Sequence, residues 1–222
     1  MIGILEQEQL DAMKNEFLIL LRSTNRPGMD NLINWLETGT DFFKAPASQG
    51  YHGDYPGGLL EHSLNVYKAA RKLLEVYKEI ALPEKKFNEI PEDTLIICTL
   101  LHDLCKANFY KEEEKWFKDN KGQWHSYLGY VINDAFPAVH GSKSCFLIQY
   151  YVYLRPDELV AIQMHMFGFD SYMVNPQNTY VYKPLSQALD TIPMTILLSQ
   201  ADMAASFTME KNVDQKVANF IK

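Results

Sequence analysis

The chain has 222 residues and a net charge of −7, and its 47 % share of hydrophobic residues is sufficient for one core of ordinary size. The acidic balance argues against a broad surface for long nucleic acids, although bound cations would let a small phosphorylated substrate approach. Apolar runs are too short to cross a bilayer, and the N-terminus has no basic region before an apolar stretch, so we expect neither a membrane span nor a signal peptide.

The N-terminal third of the sequence predicts two helices and a loop. Apolar residues at helical spacing predict a helix over residues 4–22, which Pro27-Gly28 ends. A second, short helix is predicted at about residues 29–37. Residues 39–58 are rich in glycine and proline and predict a loop.

The middle of the sequence predicts a buried helical centre and a small hairpin. A helix that begins near Gly58 turns His62 towards the protein interior by its apolar spacing. Residues 92–106 are apolar on nearly every side, which is typical of a central helix. Residues 109–131 place aromatic side chains on both sides of an Asn-Lys-Gly turn, and this pattern predicts a β-hairpin beside the helical body.

Helices resume at about residues 140–153 and 156–166. A last long helical stretch over residues 185–207 contains Pro193, which begins a new segment or kinks the helix. We find no linker between domains and therefore predict one mostly α-helical domain. This domain consists of an N-terminal helical extension at 1–45, a core at 46–207, and a C-terminal region at 208–222 with an amphipathic helix from about Val213.

Cysteine usage gives a weaker indication of where the protein works. Cys98, Cys105 and Cys145 form an odd set without a Cys-x-x-Cys spacing, which favours neither a disulfide framework nor a zinc ribbon. Reduced thiols fit the cytoplasm. We interpret Cys105 as a small buried hydrophobic residue and not as a reactive thiol.

The adjacent pair His102-Asp103, at the end of an apolar run, is the most informative feature of the sequence. Imidazole nitrogens and carboxylate oxygens together suit divalent first-row transition metals. Neighbouring residues on a helix point about 100° apart, so one helix cannot supply a whole site and several segments must converge inside a bundle. The other candidate ligands lie on separate segments: His62, His140, His165 and Asp202.

The order of these residues resembles the dinuclear branch of the HD-domain metal-dependent phosphohydrolase superfamily. Residues 102–106 are similar to its His-Asp-x-x-Lys motif, and residues 140–142 and 200–202 sit where later ligands are expected. Residues 57–63, with His52 and Tyr55 upstream, are similar to the first-histidine motif of HD-type 3′–5′ exoribonucleases. The resemblance covers about residues 46–207 and implies an HD-type helical bundle.

The resemblance also implies two divalent transition-metal ions, which Mn, Fe, Co, Ni or Zn can supply. A first ion would be held by four residues, namely His62, His102, Asp103 and Asp202. The second would be held by Asp103, His140 and His165, so that Asp103 bridges the pair. Ions about 3.5–4 Å apart can share a hydroxide and clamp a phosphoryl group, because a bound metal lowers the pKa of water towards about 7.

Other residues are candidates for catalysis and substrate binding. Lys106 lies four residues after His102, on the same predicted helix face, and its ammonium group could bind substrate and neutralise charge on phosphorus oxygens. A solvated lysine at a helix end is the alternative. Asp103 is the second catalytic candidate because it, or Asp202, could hold the attacking water. His52 either contacts a substrate phosphate or caps its loop.

These assignments predict a cytoplasmic, divalent-metal-dependent phosphohydrolase that cleaves a phosphomonoester or phosphodiester, with a nucleotide as the favoured substrate. Two alternatives stay open, a 3′–5′ exonuclease on short RNA or DNA ends and a non-catalytic, metal-stabilised regulatory module. Asp170 and Tyr172 either line the substrate pocket or are ordinary loop residues. The sequence selects neither the metal, nor the substrate, nor the oligomeric state.

Overall fold

The computed structural model describes residues 5–167, 177, 179–210 and 220–221. These residues form a helical bundle with a small antiparallel sheet, so the predicted fold class is confirmed. The α-helices are α1 (Gln7–Ser23), α2 (Met29–Thr38), α3 (Gly58–Ile80), α4 (Glu92–Leu101), α5 (His140–Gln149), α6 (Pro156–Met164), α7 (Thr179–Thr191) and α8 (Pro193–Ala204). Short 3₁₀ helices occur at Pro83–Lys85, Phe87–Glu89 and Leu104–Lys106, and a π-helix follows α8 at Ala205–Met209. Within the described ranges, none of these helices combines the length and apolarity that crossing a bilayer requires.

The bundle is organised around α3, which packs against α4 and α8, while α6 packs against α5 and α8. Every residue of α4 from Thr94 to Leu101 is buried, as its all-round apolar sequence predicts for a central helix. The N-terminal helices belong to the same core, since α1 and α2 bury large apolar side chains in it. These include Phe17, Leu21, Leu32 and Leu36.

The predicted hairpin consists of β1 (Tyr110–Lys118) and β2 (Trp124–Ile132), paired antiparallel. At the turn, the Asp119 carboxylate accepts hydrogen bonds of 2.8 Å from the backbone N–H groups of Lys121 and Gln123. Gly122 has a φ of 83°, a conformation that glycine adopts without strain. A short third strand, β3 (Phe220–Ile221), pairs with β2, so the prediction of a helix from about Val213 was wrong at these two residues. Residues 213–219 of that prediction lie outside the described residues.

The sequence predicted the boundary before Pro193 correctly, but it did not predict the end of α4. The helix predicted over residues 92–106 ends at Leu101, and Asp103 has left the α-helical region with φ −102° and ψ 20°. The prediction that His102 and Lys106 share one helix face was therefore wrong. By contrast, the stretch predicted at 185–207 is divided as expected, because Ile192 is extended before Pro193, which opens α8.

Candidate metal centre

The six predicted ligands converge from different elements on one cluster inside the bundle. Five of them are buried, and only the His140 side chain is substantially exposed, at 34 %. The elements supply them as follows: α3 gives His62, the end of α4 gives His102 and Asp103, α5 begins with His140, α6 ends before His165, and α8 carries Asp202. The closest nitrogens belong to His62 and His102, whose Nε2 atoms are 3.2 Å apart.

Asp103 lies at the middle of the cluster, with its two carboxylate oxygens facing different histidines. Oδ1 is 2.6 Å from His140 Nε2 and 3.6 Å from His165 Nε2. Oδ2 is 3.4 Å from His62 Nε2 and 3.6 Å from His102 Nε2. The carboxylate therefore lies between two pairs of imidazoles, one pair facing each oxygen.

Hydrogen bonds to the backbone orient two of the imidazoles. The Nδ1 atoms of His102 and His165 are 2.8 and 2.6 Å from the carbonyl oxygens of Thr99 and Ile162, so each Nδ1–H donates and each Nε2 atom faces the cluster. His165 Nε2 is buried and has no hydrogen-bond partner among the described residues. A buried ring nitrogen that faces carboxylates without a hydrogen bond fits a metal ligand, as does the imidazole and carboxylate donor set.

The charge states of His102 and Asp103 suit metal binding. Burial lowers the pKa of His102 to about 3, so its ring is neutral. Burial alone would raise the pKa of Asp103, but Lys106 and the neighbouring imidazoles outweigh it and hold that pKa well below its usual range. Neutral imidazole and ionised carboxylate are the forms that bind metal ions.

Two glycines allow neighbouring segments of backbone to approach closely, and these contacts position the histidines. A Cβ on Gly58 would lie 2.0 Å from the Gly53 carbonyl oxygen, so the preceding loop can lie directly on the start of α3. The His52 ring is thereby placed 4.9 Å from the His62 ring. Similarly, a Cβ on Gly141 would lie 2.6 Å from the Ile162 carbonyl oxygen, which shows how closely α5 approaches α6.

A cavity of about 560 Å³ opens beside the cluster. Its polar lining includes Asp103, Asp202, His52 and Lys106, and the Lys106 ammonium group is 2.6 Å from Asp103 Oδ2. Apolar side chains line the same cavity, several of them largely exposed: Tyr51, Met166, Met203 and Phe207. The cavity therefore offers an anion-binding region beside the cluster and an apolar region towards solvent. The other pocket candidates, Asp170 and Tyr172, lie outside the described residues.

The HD-domain family model matches residues 59–202, which is more than half of the chain. The chain belongs to the HD-domain superfamily of metal-dependent phosphohydrolases. The chain is also 33 % identical over 114 residues to the dihydroneopterin 2′,3′-cyclic phosphate phosphodiesterase of Methanocaldococcus jannaschii. That alignment covers 51 % of this chain and 41 % of the relative, so it spans less than half of the relative's length. A comparison with solved structures gave no significant match.

One residue of this site lies beyond the matched HD region and was missed by sequence reasoning. The carboxylate of Glu210, which follows the π-helix, contacts His62 Nδ1 at 2.9 Å and His52 Nδ1 at 2.6 Å. Burial alone would raise the pKa of Glu210, but these two imidazoles lower it to about 2. Its partners precede it by 148 and 158 positions, so no local pattern indicated it.

Cys105 contacts one of the predicted ligands, His140. Its Sγ is 3.1 Å from His140 Nδ1, and burial raises the pKa of the thiol to about 12. The thiol is therefore protonated at neutral pH, which agrees with the interpretation of Cys105 as an unreactive buried residue.

Proposed function

We propose that the chain is a divalent-metal-dependent phosphohydrolase that holds two ions at the six ligands. The observation that carries the proposal is the Asp103 carboxylate, whose oxygens face two separate sets of imidazoles in one buried cluster. The first set consists of His62 and His102, with Asp202 Oδ1 3.3 Å from His62 Nε2, and the second of His140 and His165. Bound ions would supply a water of lowered pKa and would withdraw charge from the phosphoryl oxygens.

The chain's own residues would bind and orient the phosphoryl group. Lys106 keeps its ammonium group beside Asp103 at the cavity wall, where it can stabilise charge that grows on phosphorus oxygens. His52 lines the same cavity, with its Nε2 atom 3.4 Å from Ser206 Oγ. Rigid placement of such groups is the main contribution that a protein makes to phosphoryl transfer.

The cavity favours a substrate that combines a phosphate with an apolar, planar group. Its volume of about 560 Å³ is in the range of pockets for small organic molecules, and Tyr51, Met203 and Phe207 offer an apolar face. The relative's name denotes a cyclic phosphodiester substrate. We therefore infer a nucleotide-like phosphodiester as the first substrate class to test.

The three cysteines are free and buried, which is compatible with the predicted cytoplasmic location.

Metal analysis combined with a substrate panel tests this function. Wild-type protein loaded with Mn²⁺ should hold about two ions and hydrolyse 2′,3′-cyclic nucleotides. We expect His102→Ala and Asp103→Ala to lose both properties, while His125→Ala, which removes a histidine of the hairpin, should keep them.

Three results would contradict the proposal. Unchanged metal content and hydrolysis in His102→Ala and Asp103→Ala would exclude the site. Shortening of labelled oligonucleotides without cyclic nucleotide hydrolysis would favour the exonuclease, which the motif at residues 57–63 resembles. Metal binding without turnover of any phosphoester would favour a regulatory module.

A further inference from the structure

Glu210 joins two histidines that have different predicted roles. Its side chain is fully buried, and its two oxygens each contact one Nδ1 atom, at distances of 2.6 and 2.9 Å. His62 is a predicted metal ligand, whereas His52 lines the cavity and is a predicted substrate contact. Both Glu210 and His52 lie outside residues 59–202, so the match to the HD-domain family does not account for this triad.

The proton positions follow from the chemistry of the carboxylate. An ionised carboxylate only accepts hydrogen bonds, so each histidine must carry a proton on Nδ1. In a neutral ring the lone pair is then on Nε2. His62 Nε2 faces Asp202 and Asp103, and His52 Nε2 faces the cavity beside Ser206. Glu210 therefore selects the tautomer of both rings.

A cation held by Glu210, His52 and His62 is the competing interpretation. The two N···O distances of 2.6 and 2.9 Å are ordinary for charge-assisted hydrogen bonds, which engage both Nδ1 atoms and both carboxylate oxygens without an ion. Such an ion would also require the His62 ring to bind metal through both nitrogens.

We propose that Glu210 is a positioning residue that couples the metal ligand His62 to the substrate-facing His52. The metal and substrate roles of these histidines rest on the proposed function. The π-helix at Ala205–Met209 gives independent support, because this rare conformation recurs at functional sites. Its turn ends with the Glu210 N–H donating to the Ala205 carbonyl at 3.2 Å, which places the glutamate directly after it.

Glu210→Gln is the sharpest test, because it keeps the shape of the side chain but replaces one of the two accepting oxygens with an NH₂ group that donates. The amide can satisfy only one Nδ1–H, so the other ring should change to the Nε2–H tautomer. We expect ¹⁵N-histidine NMR of metal-free protein to show a proton on Nδ1 of both His52 and His62 in the wild type, and its loss from one of the two rings in Glu210→Gln. Zinc affinity, measured by calorimetry, should fall about 10–100-fold.

Glu112→Gln is the matched control, since it makes the same change on an exposed part of β1 and should match the wild type in both readouts. Unchanged tautomers and zinc affinity in Glu210→Gln would overturn the proposal. An additional zinc ion that His52→Ala removes would overturn it in favour of a cation site. If the wild type bound neither zinc nor Mn²⁺, the proposed function would fail, whereas the NMR measurement would still decide the role of Glu210.

Discussion

Lys106 has an ion pair with Asp103 and also faces the cavity, so its contribution can be separated from metal binding. Burial disfavours its ammonium form, but Asp103 outweighs burial and raises the pKa of Lys106, which keeps the group charged at neutral pH. We expect Lys106→Met to lower kcat about 100-fold or more, because a charge that stabilises the transition state is lost. Metal content should stay close to that of the wild type, since Lys106 is not a ligand.

Steady-state kinetics and metal analysis on the same preparation check this prediction. Lys111→Met removes an exposed lysine of β1 and should leave kcat unchanged. If Lys106→Met kept its kcat, Lys106 would be a solvated lysine near a helix end, the alternative that its sequence position allows.

Protons on two ligand histidines should compete with metal. Burial disfavours the imidazolium form, but nearby carboxylates outweigh it: Glu210 and Asp103 hold the pKa of His62 well above its usual value, and Asp103 raises that of His165. The metal-free rings therefore keep their protons to higher pH, and metal must displace them. Metal affinity should rise as pH increases through these pKa values, by up to about tenfold per unit for each displaced proton.

Calorimetry in buffers of different ionisation enthalpy measures the protons that metal binding releases. Zinc titrations at about pH 6 and about pH 8 should give the tighter binding at the higher pH. Equal affinity at both values, with no proton release, would show that these rings are already neutral in the metal-free protein.

At the scale of secondary structure, the sequence located most helices but not where each one ends. The apolar run before His102 predicted α4 correctly, because burial on all sides follows from composition. Beyond the end of α4 at Leu101, Asp103 pairs with Lys106 three residues later and contacts His140 of α5. A pattern of apolar residues carries no information about such contacts.

The sequence predicted the six ligands but not Glu210, again because the contacts of Glu210 are tertiary. Each predicted ligand lies on or beside a segment whose apolar spacing predicts a helix. The resemblance to the family motif then indicated which of these histidines and aspartates are ligands. Glu210 comes eight residues after Asp202, which on a continuous α-helix would be about 80° around the axis. The π-helix between them alters that direction, and apolar periodicity does not predict a π-helix.

The contact between α5 and α6 provides a test at the same scale. Gly141 follows His140, and a Cβ there would lie 2.5 Å from the Gln163 carbonyl oxygen, two residues before His165. We expect Gly141→Ala to separate the two helices and to weaken the ion held by Asp103, His140 and His165. Overpacking of this kind typically also costs about 1–3 kcal/mol of unfolding free energy.

Zinc titration should then show one tight site and one weakened site in Gly141→Ala, whereas Ser142→Ala at the next position should resemble the wild type. Equal weakening of both sites, or of neither, would show that this helix contact does not control the second ligand set.

At the scale of the whole molecule, a buried polar network ties the N-terminal segment to the HD core. Arg26, between α1 and α2, donates to Asp93 of α4 at 2.7 Å and to the fully buried Glu158 of α6. Thr94 donates to the same Glu158 carboxylate at 2.7 Å, and Arg155 pairs with Asp93 at 2.8 Å. Residues 5–45 thus contribute both apolar packing and charge pairing to the bundle that holds the candidate metal centre.

Removal of one partner of this network should destabilise the fold without altering the site. Arg26→Met leaves the buried Glu158 without its main counter-charge, a change that typically costs about 3–5 kcal/mol. Asp93 is nine residues from His102, roughly 14 Å along α4, so metal affinity should be unchanged. Urea unfolding at neutral pH checks the stability, and Arg22→Met, at an exposed arginine, should cost less than about 0.5 kcal/mol.

The network also predicts how stability depends on pH. Burial alone would raise the pKa of Asp93, but Arg26 and Arg155 outweigh it and lower that pKa in the folded state. A lowered folded-state pKa contributes stability above the unfolded value of about 3.9, and this contribution is lost as pH falls towards the folded value. The wild type should therefore lose stability below about pH 4, and Arg26→Met should lose less over that interval because part of the pKa shift is already gone. If both proteins lost equal stability between neutral pH and about pH 3, the acid sensitivity would have to originate elsewhere in the chain.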